Sequence, residues 1–246
     1  MRTTHQLGFT LLELMIAMTI GLFLAGALVT VVQTNKNVFL NQNQLEQMQD
    51  GQRMAMTLMA DIIQTAGYFP DPTKNSLGST LVANGSFANS QAITGAFSAA
   101  TPGDKISVRY MTAPQDGILN CSGLSNANAV GGANILYVNT FAVVPGVPSG
   151  QLVCTDQTNT AYTLVSGVTN LTVLYGVKTN LAAAGNNADT YLNASQMSAG
   201  NWQNVISVWI KLTFLNPLYT ANGQGQAQFI TIQRVVDVMK QTGPAT

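Results

Sequence analysis

The chain has 246 residues, of which only 8% are charged, against about a quarter in an ordinary soluble domain. Ten basic and ten acidic side chains give a formal net charge of +0, so the composition offers no basic surface for direct binding of nucleic acid. The single histidine is His5, and the acidic residues are scattered singly. A nucleophile–base pair or a metal cluster is therefore not expected, and we predict no enzyme activity, no cofactor and no bound metal.

The first strong feature is an apolar segment, residues 9–32, whose one charged residue is Glu13. About 20 apolar residues suffice to cross a bilayer, and Arg2 would keep the N-terminus in the cytoplasm. A secretory signal peptide has a shorter apolar core of about 7–15 residues and a small-residue cleavage site, which this segment lacks. A plain single-span anchor fits better, but it gives Glu13 no role, although a carboxylate at that depth costs about 2.5–3.5 kcal/mol.

A third interpretation explains the glutamate. The run "GFTLLE" at residues 8–13 resembles the type III signal of type IV pilins and pseudopilins. The resemblance implies that a prepilin peptidase removes a leader, residues 1–8, by cutting after Gly8. Phe9 then becomes an N-methylated terminus, and Glu13 is the fifth residue of the mature chain. In a filament its carboxylate would pair with the Phe9 amine of a neighbouring subunit, since leaving one such charge unpaired costs several kcal/mol.

The helical pattern continues beyond the apolar segment. Apolar residues follow at helical spacing and predict one buried face: Leu45, Met48, Ala55, Met59, Ile62 and Ala66. No proline interrupts residues 9–69, and Gly67 followed by Pro70 marks the end of the helix. We predict one helix over residues 9–66, with a transmembrane or filament-core half (residues 9–32) and an amphipathic half (residues 33–67) that packs on a sheet.

Residues 68–246 are predicted to form a β-rich domain. Residues 70–103 read as a loop with one short strand near residues 92–97, and residues 178–200 as a solvated loop. In that second loop Asn186, Asn187 and Asp189 are too few for a calcium site. Residues 135–143 are apolar on both faces, as in a buried central strand. Elsewhere alternation predicts inward residues in four strands, at Ile106, Val108 and Tyr110; at Leu171, Val173, Tyr175 and Val177; at Ile206, Val208, Ile210, Leu212 and Phe214; and at Ile230, Ile232, Val236 and Val238.

Strands joined by loops without intervening helices predict a mainly antiparallel sheet, and hence an α+β fold. Trp202 is expected to fill a sheet edge. The two cysteines, Cys121 and Cys154, form a disulfide by default if this domain lies outside the cytoplasm, and the alternative is a pair of buried free thiols.

Three further segments resemble one particular group of pilins. "MTLMADIIQTAGYFPD" at residues 56–71 resembles the helix end of PilW-type minor pilins, and "LVSGVTNLTVLYGV" and "NWQNVISVWIKLTF" resemble the C-terminal strands of that family. The resemblance implies the type IV pilin fold and a minor pilin that primes pilus assembly at or near the tip. The pilus would serve twitching motility, adhesion or DNA uptake.

The same resemblance implies the partners and the location. The partners would be the prepilin peptidase, an inner-membrane assembly platform, other minor pilins, the major pilin and a tip adhesin. The chain would be a single-pass inner-membrane protein with a periplasmic C-terminal domain (residues 68–246), and later part of a surface pilus. Two alternatives stay open: a J-type minor pseudopilin of a type II secretion system, and an adhesin module on a membrane anchor.

Overall fold

The computed structural model describes residues 10–147, 149–182, 184–185, 187–220 and 226–239. The chain divides into two compact units, Met1–Gln47 and Met48–Thr246. The helices are α1 (Leu11–Gln64), α2 (Leu77–Thr80) and α3 (Ala199–Gln203), with a 3-10 turn at Ala194–Gln196. The strands are β1 (Ile93–Ala96), β2 (Lys105–Thr112), β3 (Ile135–Val144), β4 (Gly150–Thr155), β5 (Ala161–Val177), β6 (Thr190–Leu192), β7 (Val205–Leu215) and β8 (Phe229–Asp237).

The first unit is the N-terminal part of α1. Every residue from 11 to 44 is exposed. Leucine, methionine and alanine are frequent here and favour the helix, and the segment contains no proline. The helix therefore forms from its own sequence preferences, without packing from the rest of the chain.

In the second unit the end of α1 packs on the sheet. Four positions of the predicted apolar stripe, Ala55, Met59, Ile62 and Ala66, are buried in the main core. The helix packs closely on β5 at Gly51, where an added Cβ would lie 2.7 Å from Cγ2 of Val165. Glycine is thus the residue that permits this contact.

The end of α1 is held by two hydrogen bonds, one to β2 and one to the segment after β8. Gly67, with φ of +79°, ends the helix as predicted. Its N–H donates to the carbonyl of Arg109 in β2 (3.0 Å). From beyond β8, the N–H of Met239 donates to the carbonyl of Gln64 (3.2 Å).

The eight strands form one sheet in the order β1-β2-β3-β4-β5-β7-β8, with β6 paired to β5. Every pairing between these strands is antiparallel, which confirms the predicted sheet type. The longest strand, β5, contains Gly167 at φ of +90°, where its register with β4 shifts. Before this bulge β5 pairs with β4, Val168 pairs with both β4 and β7, and the residues after Val168 pair with β7.

The sheet curls so that the start of β2 meets β5, although β3 and β4 lie between them. The N–H of Asp104 donates to the carbonyl of Leu171 (2.8 Å). The buried Asp104 carboxylate accepts from the backbone N–H groups of Val173 (2.8 Å) and Ser98 (2.9 Å). This closure encloses the core, whose large members on the sheet include Tyr110, Phe141, Tyr175 and Phe214.

The predicted strand faces are largely confirmed, with two errors. Ile206 was predicted to point inward, but it is half-buried and Val205 is buried instead. The reason is a register shift in which Ser207 pairs with Gly176 and Val205 with Val177. Residues 135–143 were predicted to be buried on both faces, but burial alternates along β3 because its second face is only partly covered. In β8 Val236 is buried, whereas Ile230 and Ile232 are half-buried, because β8 is an edge strand.

Two regions predicted as loops contain short elements. Residues 70–103 include β1, as expected, and also α2, which Ser76 caps. Phe69, Leu77 and Leu81 form a second, smaller core there. Residues 178–200 include β6, the 3-10 turn and the start of α3. Trp202 in α3 packs edge-to-face on Tyr175, with ring centroids 4.7 Å apart.

Candidate assembly site on the N-terminal helix

Thr10 sets the start of α1 and the position of Glu13. Its Oγ1 accepts a hydrogen bond from the N–H of Glu13 (3.3 Å), and its carbonyl accepts from the N–H of Leu14 (3.2 Å). Thr-x-x-Glu is the residue order of a capping box. Thr10 was not among the residues predicted from the sequence, although its spacing from Glu13 is visible there. Glu13 consequently lies in the first turn of the helix, where a negative charge is favourable.

The other polar side chains of the apolar segment satisfy themselves within the helix. Thr19 donates its hydroxyl to the carbonyl of Ile16 (2.8 Å), and Thr30 donates to that of Ala27 (2.7 Å). In a hydrocarbon environment an unsatisfied polar group costs several kcal/mol, so these bonds remove the need for an outside partner.

Glu13 differs from these threonines. Its carboxylate is exposed and makes no hydrogen bond or ion pair with any other residue that the structure describes. The two predicted processing residues, Gly8 and Phe9, lie outside the described residues. Within residues 11–32, Glu13 is thus the polar side chain whose requirement for a partner is not met by the described part of the chain.

The apolar side chains along the same part of α1 are also exposed. Leu12 is 70% exposed, Leu22 77% and Phe23 79%. Burying one such side chain fully is worth about 1.5–3 kcal/mol. Of the helices in the described residues, α1 alone is long and apolar enough to cross a bilayer, and its most apolar 18-residue window has a mean hydropathy of 2.4. The described residues provide no cover for this surface.

The predicted disulfide is present in the second unit. It joins Cys121, in the loop between β2 and β3, to Cys154 in β4, with the Cα atoms 6.3 Å apart. Neither cysteine is free, so the free-thiol alternative is wrong. Beside it, Asn139 accepts from the N–H of Cys121 (2.9 Å) and donates to the hydroxyl of Tyr110 (3.1 Å). Burial raises the pKa of Tyr110, so this network stays neutral and holds the loop on the sheet.

The loop after β5, which the sequence predicts to lack a calcium site, is held by hydrogen bonds between its own residues. The Asp189 carboxylate accepts from the backbone N–H groups of Thr179 and Asn180, both at 2.8 Å. Lys178 donates to the carbonyl of Gly185. In the part of the chain that the structure describes, no three His, Cys, Asp or Glu side chains lie together in a way that could hold a metal ion.

Comparisons with known proteins agree with both parts of this picture. Residues 3–29 match the model of the prokaryotic N-terminal methylation motif, and residues 132–243 match that of the type IV pilus-assembly protein W family, PilW. No curated protein matches the sequence. A solved type IV-like pilin from Thermus thermophilus is similar over 78% of this chain and 96% of its own, at 11% identity and a TM-score of 0.40.

The two matched segments have different meanings. The methylation motif contains Gly8, Phe9 and Glu13, and with the apolar helix it supports membrane anchoring. The PilW match covers strands β3 to β8 and belongs to a structural, non-enzymatic family. The α+β architecture predicted from the sequence, with a long apolar N-terminal helix and a curled antiparallel sheet, is confirmed. Residues 132–243 are thus similar to the PilW family and residues 3–29 to the prepilin methylation motif, and this combination supports a PilW-like minor pilin of type IV pili.

Proposed function

We propose that the chain enters a pilus priming complex through residues 9–32 and lies at or near the pilus tip. One observation carries the assembly role: α1 exposes a continuous apolar surface on which Glu13 is the polar side chain without a partner in the described chain. Lateral packing of this surface against other pilin helices would cover it. The tip position is supported by the likeness to PilW alone.

The charge on Glu13 gains a partner when the chain is processed. Cutting between Gly8 and Phe9 by a prepilin peptidase creates an amine at the start of the helix, and methylation keeps its positive charge. In a filament this amine and the Glu13 carboxylate of an adjacent subunit would neutralise each other. Two desolvated charges are costly singly, and pairing them offsets much of that cost.

The second unit is expected in the periplasm before assembly. The Cys121–Cys154 disulfide supports this location, because such bonds persist in oxidising compartments. There the sheet unit meets the other minor pilins, the major pilin and a possible tip adhesin. The inner-membrane assembly platform would then lift the subunit out of the bilayer. Twitching motility, adhesion or DNA uptake would follow from the assembled pilus.

The assembly role is tested with Glu13→Ala in the organism's own gene. Membrane insertion and processing should survive, because neither needs the carboxylate, while co-purification with other minor pilins and surface piliation should fall. A partial defect indicates a tip position, where no subunit lies above, and a severe defect an internal one. Thr19→Val is the matched control, since that hydroxyl is satisfied within the helix. Wild-type piliation together with wild-type co-purification in Glu13→Ala would refute the assembly role.

Processing has its own test. Gly8→Leu should retain residues 1–8 and fail to assemble, yet stay membrane-bound through the apolar segment. Mass spectrometry of the intact protein distinguishes the two forms. Normal removal of residues 1–8 from this variant would show that the type III signal is not used.

Deletion of the gene separates the pilus from a secretion pseudopilus. We expect loss of surface pili with normal exoprotein secretion. The reverse pattern would replace the proposal with a J-type minor pseudopilin.

A further inference from the structure

A groove of about 460 Å³ lies on the face of the sheet that α1 does not cover. Its floor is formed by Leu136, Val138 and Thr140 of β3 and by Thr155 of β4. The intervening residues of β3 point into the main core, so the floor residues face away from it. The volume falls within the range of about 300–1,000 Å³ that is usual for small-molecule sites. We call this the outer groove.

The first wall of the outer groove is a tight turn, residues 84–87. Asn84 and Phe87 exchange backbone hydrogen bonds, each of 3.0 Å. Arg109, which is fully buried, lies 4.8 Å above the ring centroid of Phe87. The wall is therefore backed by a charged side chain from β2.

Arg109 fixes this wall through carbonyl groups. Its guanidinium donates to four backbone carbonyls of residues 81–91, those of Leu81 (2.9 Å), Val82 (2.6 Å), Ala88 (2.7 Å) and Gln91 (2.6 Å). Burial lowers the pKa of Arg109 to about 10, so the side chain remains charged at neutral pH. A buried charge is costly unless it is hydrogen-bonded. The four hydrogen bonds of Arg109 satisfy this requirement, and they hold the segment that forms the wall in one conformation.

The second wall is the turn after β4. Oδ1 of Asp156 accepts from the N–H and the hydroxyl of Thr158 (2.9 and 2.7 Å) and from the N–H of Thr160 (3.1 Å). Asn159 holds a left-handed conformation, with φ of +64°. Both walls are thus fixed by hydrogen bonds before any ligand arrives, which lowers the entropy cost of binding.

The lining of the outer groove selects the chemistry of the ligand. Among the described residues, the side chains of Asn84, Ser86, Thr155 and Asn159 have no hydrogen-bond partner, so their amides and hydroxyls are available. No lysine or arginine lines the groove, which leaves a phosphate or a nucleic acid without a counter-charge. The apolar part of the floor is small, which does not suit a lipid. The lining also includes the Asp156 carboxylate, whose Oδ1 is occupied by hydrogen bonds within its own turn. The remaining neutral amides and hydroxyls, beside a small apolar floor, match the hydroxyl groups and C–H faces of sugars.

We propose that the outer groove binds a neutral oligosaccharide. The amides of Asn84 and Asn159 and the hydroxyls of Ser86 and Thr155 bond to sugar hydroxyls, and Leu136 and Val138 contact a C–H face of the ring. This site is separate from the assembly surface on α1, so its occupancy does not depend on incorporation into a pilus.

The test uses the full chain, purified in lauryldimethylamine oxide, because glycoside detergents would compete for the site. Saturation-transfer difference NMR is recorded with lactose, maltose and N,N′-diacetylchitobiose as neutral probes, and with a heparin tetrasaccharide as the anionic probe. We expect saturation transfer to at least one neutral probe and none to heparin. Transfer to heparin alone, or to no probe, overturns the proposal.

Three variants locate the binding. Ser86→Trp fills the groove and should abolish the signal. Thr155→Val keeps the side-chain shape but removes the hydroxyl, and should weaken binding about fivefold to tenfold. Thr231→Val, an exposed position on β8 outside the groove, is the matched control and should bind as wild type.

Two further safeguards keep the test decisive. Circular dichroism melting is compared with wild type for each variant. If Ser86→Trp does not fold, Asn159→Gly takes its place, since glycine keeps the left-handed backbone and removes the amide. Wild-type affinity in the folded groove variants would mean that the sugar binds elsewhere, and the proposal would be wrong.

Discussion

The two ends of α1 differ in a way that composition alone would not suggest. The more apolar end, residues 11–32, is fully exposed, whereas the more polar end, residues 48–64, contributes the buried face. In the second end, solvent-facing residues recur every four positions, at Arg53, Thr57 and Asp61. In the first end apolar residues occupy every side. An apolar stripe on one face of a helix therefore indicates packing against the same chain. A helix that is apolar on every side indicates packing against other molecules.

Glycines show the same contrast. Gly21 and Gly26 have no atom within 4 Å of an added Cβ, whereas Gly51 lies against Val165. Glycine thus permits a close contact with the sheet in the end at residues 48–64. In the end at residues 11–32, glycine leaves space for whatever covers the helix. Small residues of this kind let helices approach closely in membranes.

The largest expected effect on the sheet unit alone is removal of the disulfide. Cys121→Ala combined with Cys154→Ala opens a link between residues 33 positions apart. We expect a loss of about 3–4 kcal/mol in the free energy of unfolding, since the open chain has more freedom when unfolded. Denaturant unfolding of the full chain in detergent measures this loss, and membrane fractionation should be unchanged. An unfolding midpoint equal to that of wild type would show that the loop is held by the Asn139 network without the disulfide.

A matched pair of glycine substitutions tests whether the two ends of α1 have different packing partners. Gly51→Leu forces side-chain atoms into Val165 and should destabilise the sheet unit by about 1–3 kcal/mol. An added Cβ at Gly26 has no described side chain within 4 Å, so Gly26→Leu should leave the unfolding free energy unchanged, while its effect appears in assembly. Thermal unfolding and minor pilin co-purification are measured for both. Equal unfolding effects at the two sites would contradict the division of α1 into an externally and an internally packed end.

The smallest expected effect is a local dependence on pH. Hydrogen bonds from the backbone N–H of Asn180, and from the N–H and hydroxyl of Thr179, lower the pKa of Asp189 below its usual 3.8. Because the folded pKa is lowered, the stabilisation is present above pH 3.8 and is lost as the pH falls through the lowered value. Amide exchange at Thr179 and Asn180, corrected for its intrinsic rate, should accelerate there and nowhere in α1. Asp189→Asn should abolish the dependence on pH, and unchanged protection at low pH in wild type would contradict the prediction.

The helix and most strand faces could be predicted from sequence because their signals are periodic and local. Alternation identified Ile106, Val108 and Tyr110, and Gly67 marked the helix end. Ile206 was assigned to the wrong face because a bulge shifts the strand phase by one residue, and alternation assumes that no bulge is present. The resemblance at residues 8–13 directed attention to Glu13, but the N-cap Thr10 beside it was overlooked.

The features that sequence reasoning missed depend on contacts between distant residues. Arg109 stands in "SVRYM", where an outward arginine on a strand normally meets solvent. It is buried because residues 81–91, far from it along the chain, fold over it and present their carbonyls. The closure of the sheet by Asp104 and Val173 spans 69 positions. Neither the periodicity nor the composition of the sequence indicates such a pairing. The helix α2 is too short to show a periodic pattern.

The attachment of the α1 end has a mechanical consequence. A tension applied along the helix reaches the sheet unit at two separate points, Gly67 on β2 and Gln64 on the segment after β8. These strands stand near opposite ends of the strand order, with β3, β4, β5 and β7 between them. The load is thus divided across the sheet, and no single strand has to be peeled away for the helix to transmit it. Separating the helix end from the sheet would therefore break contacts at both of these places.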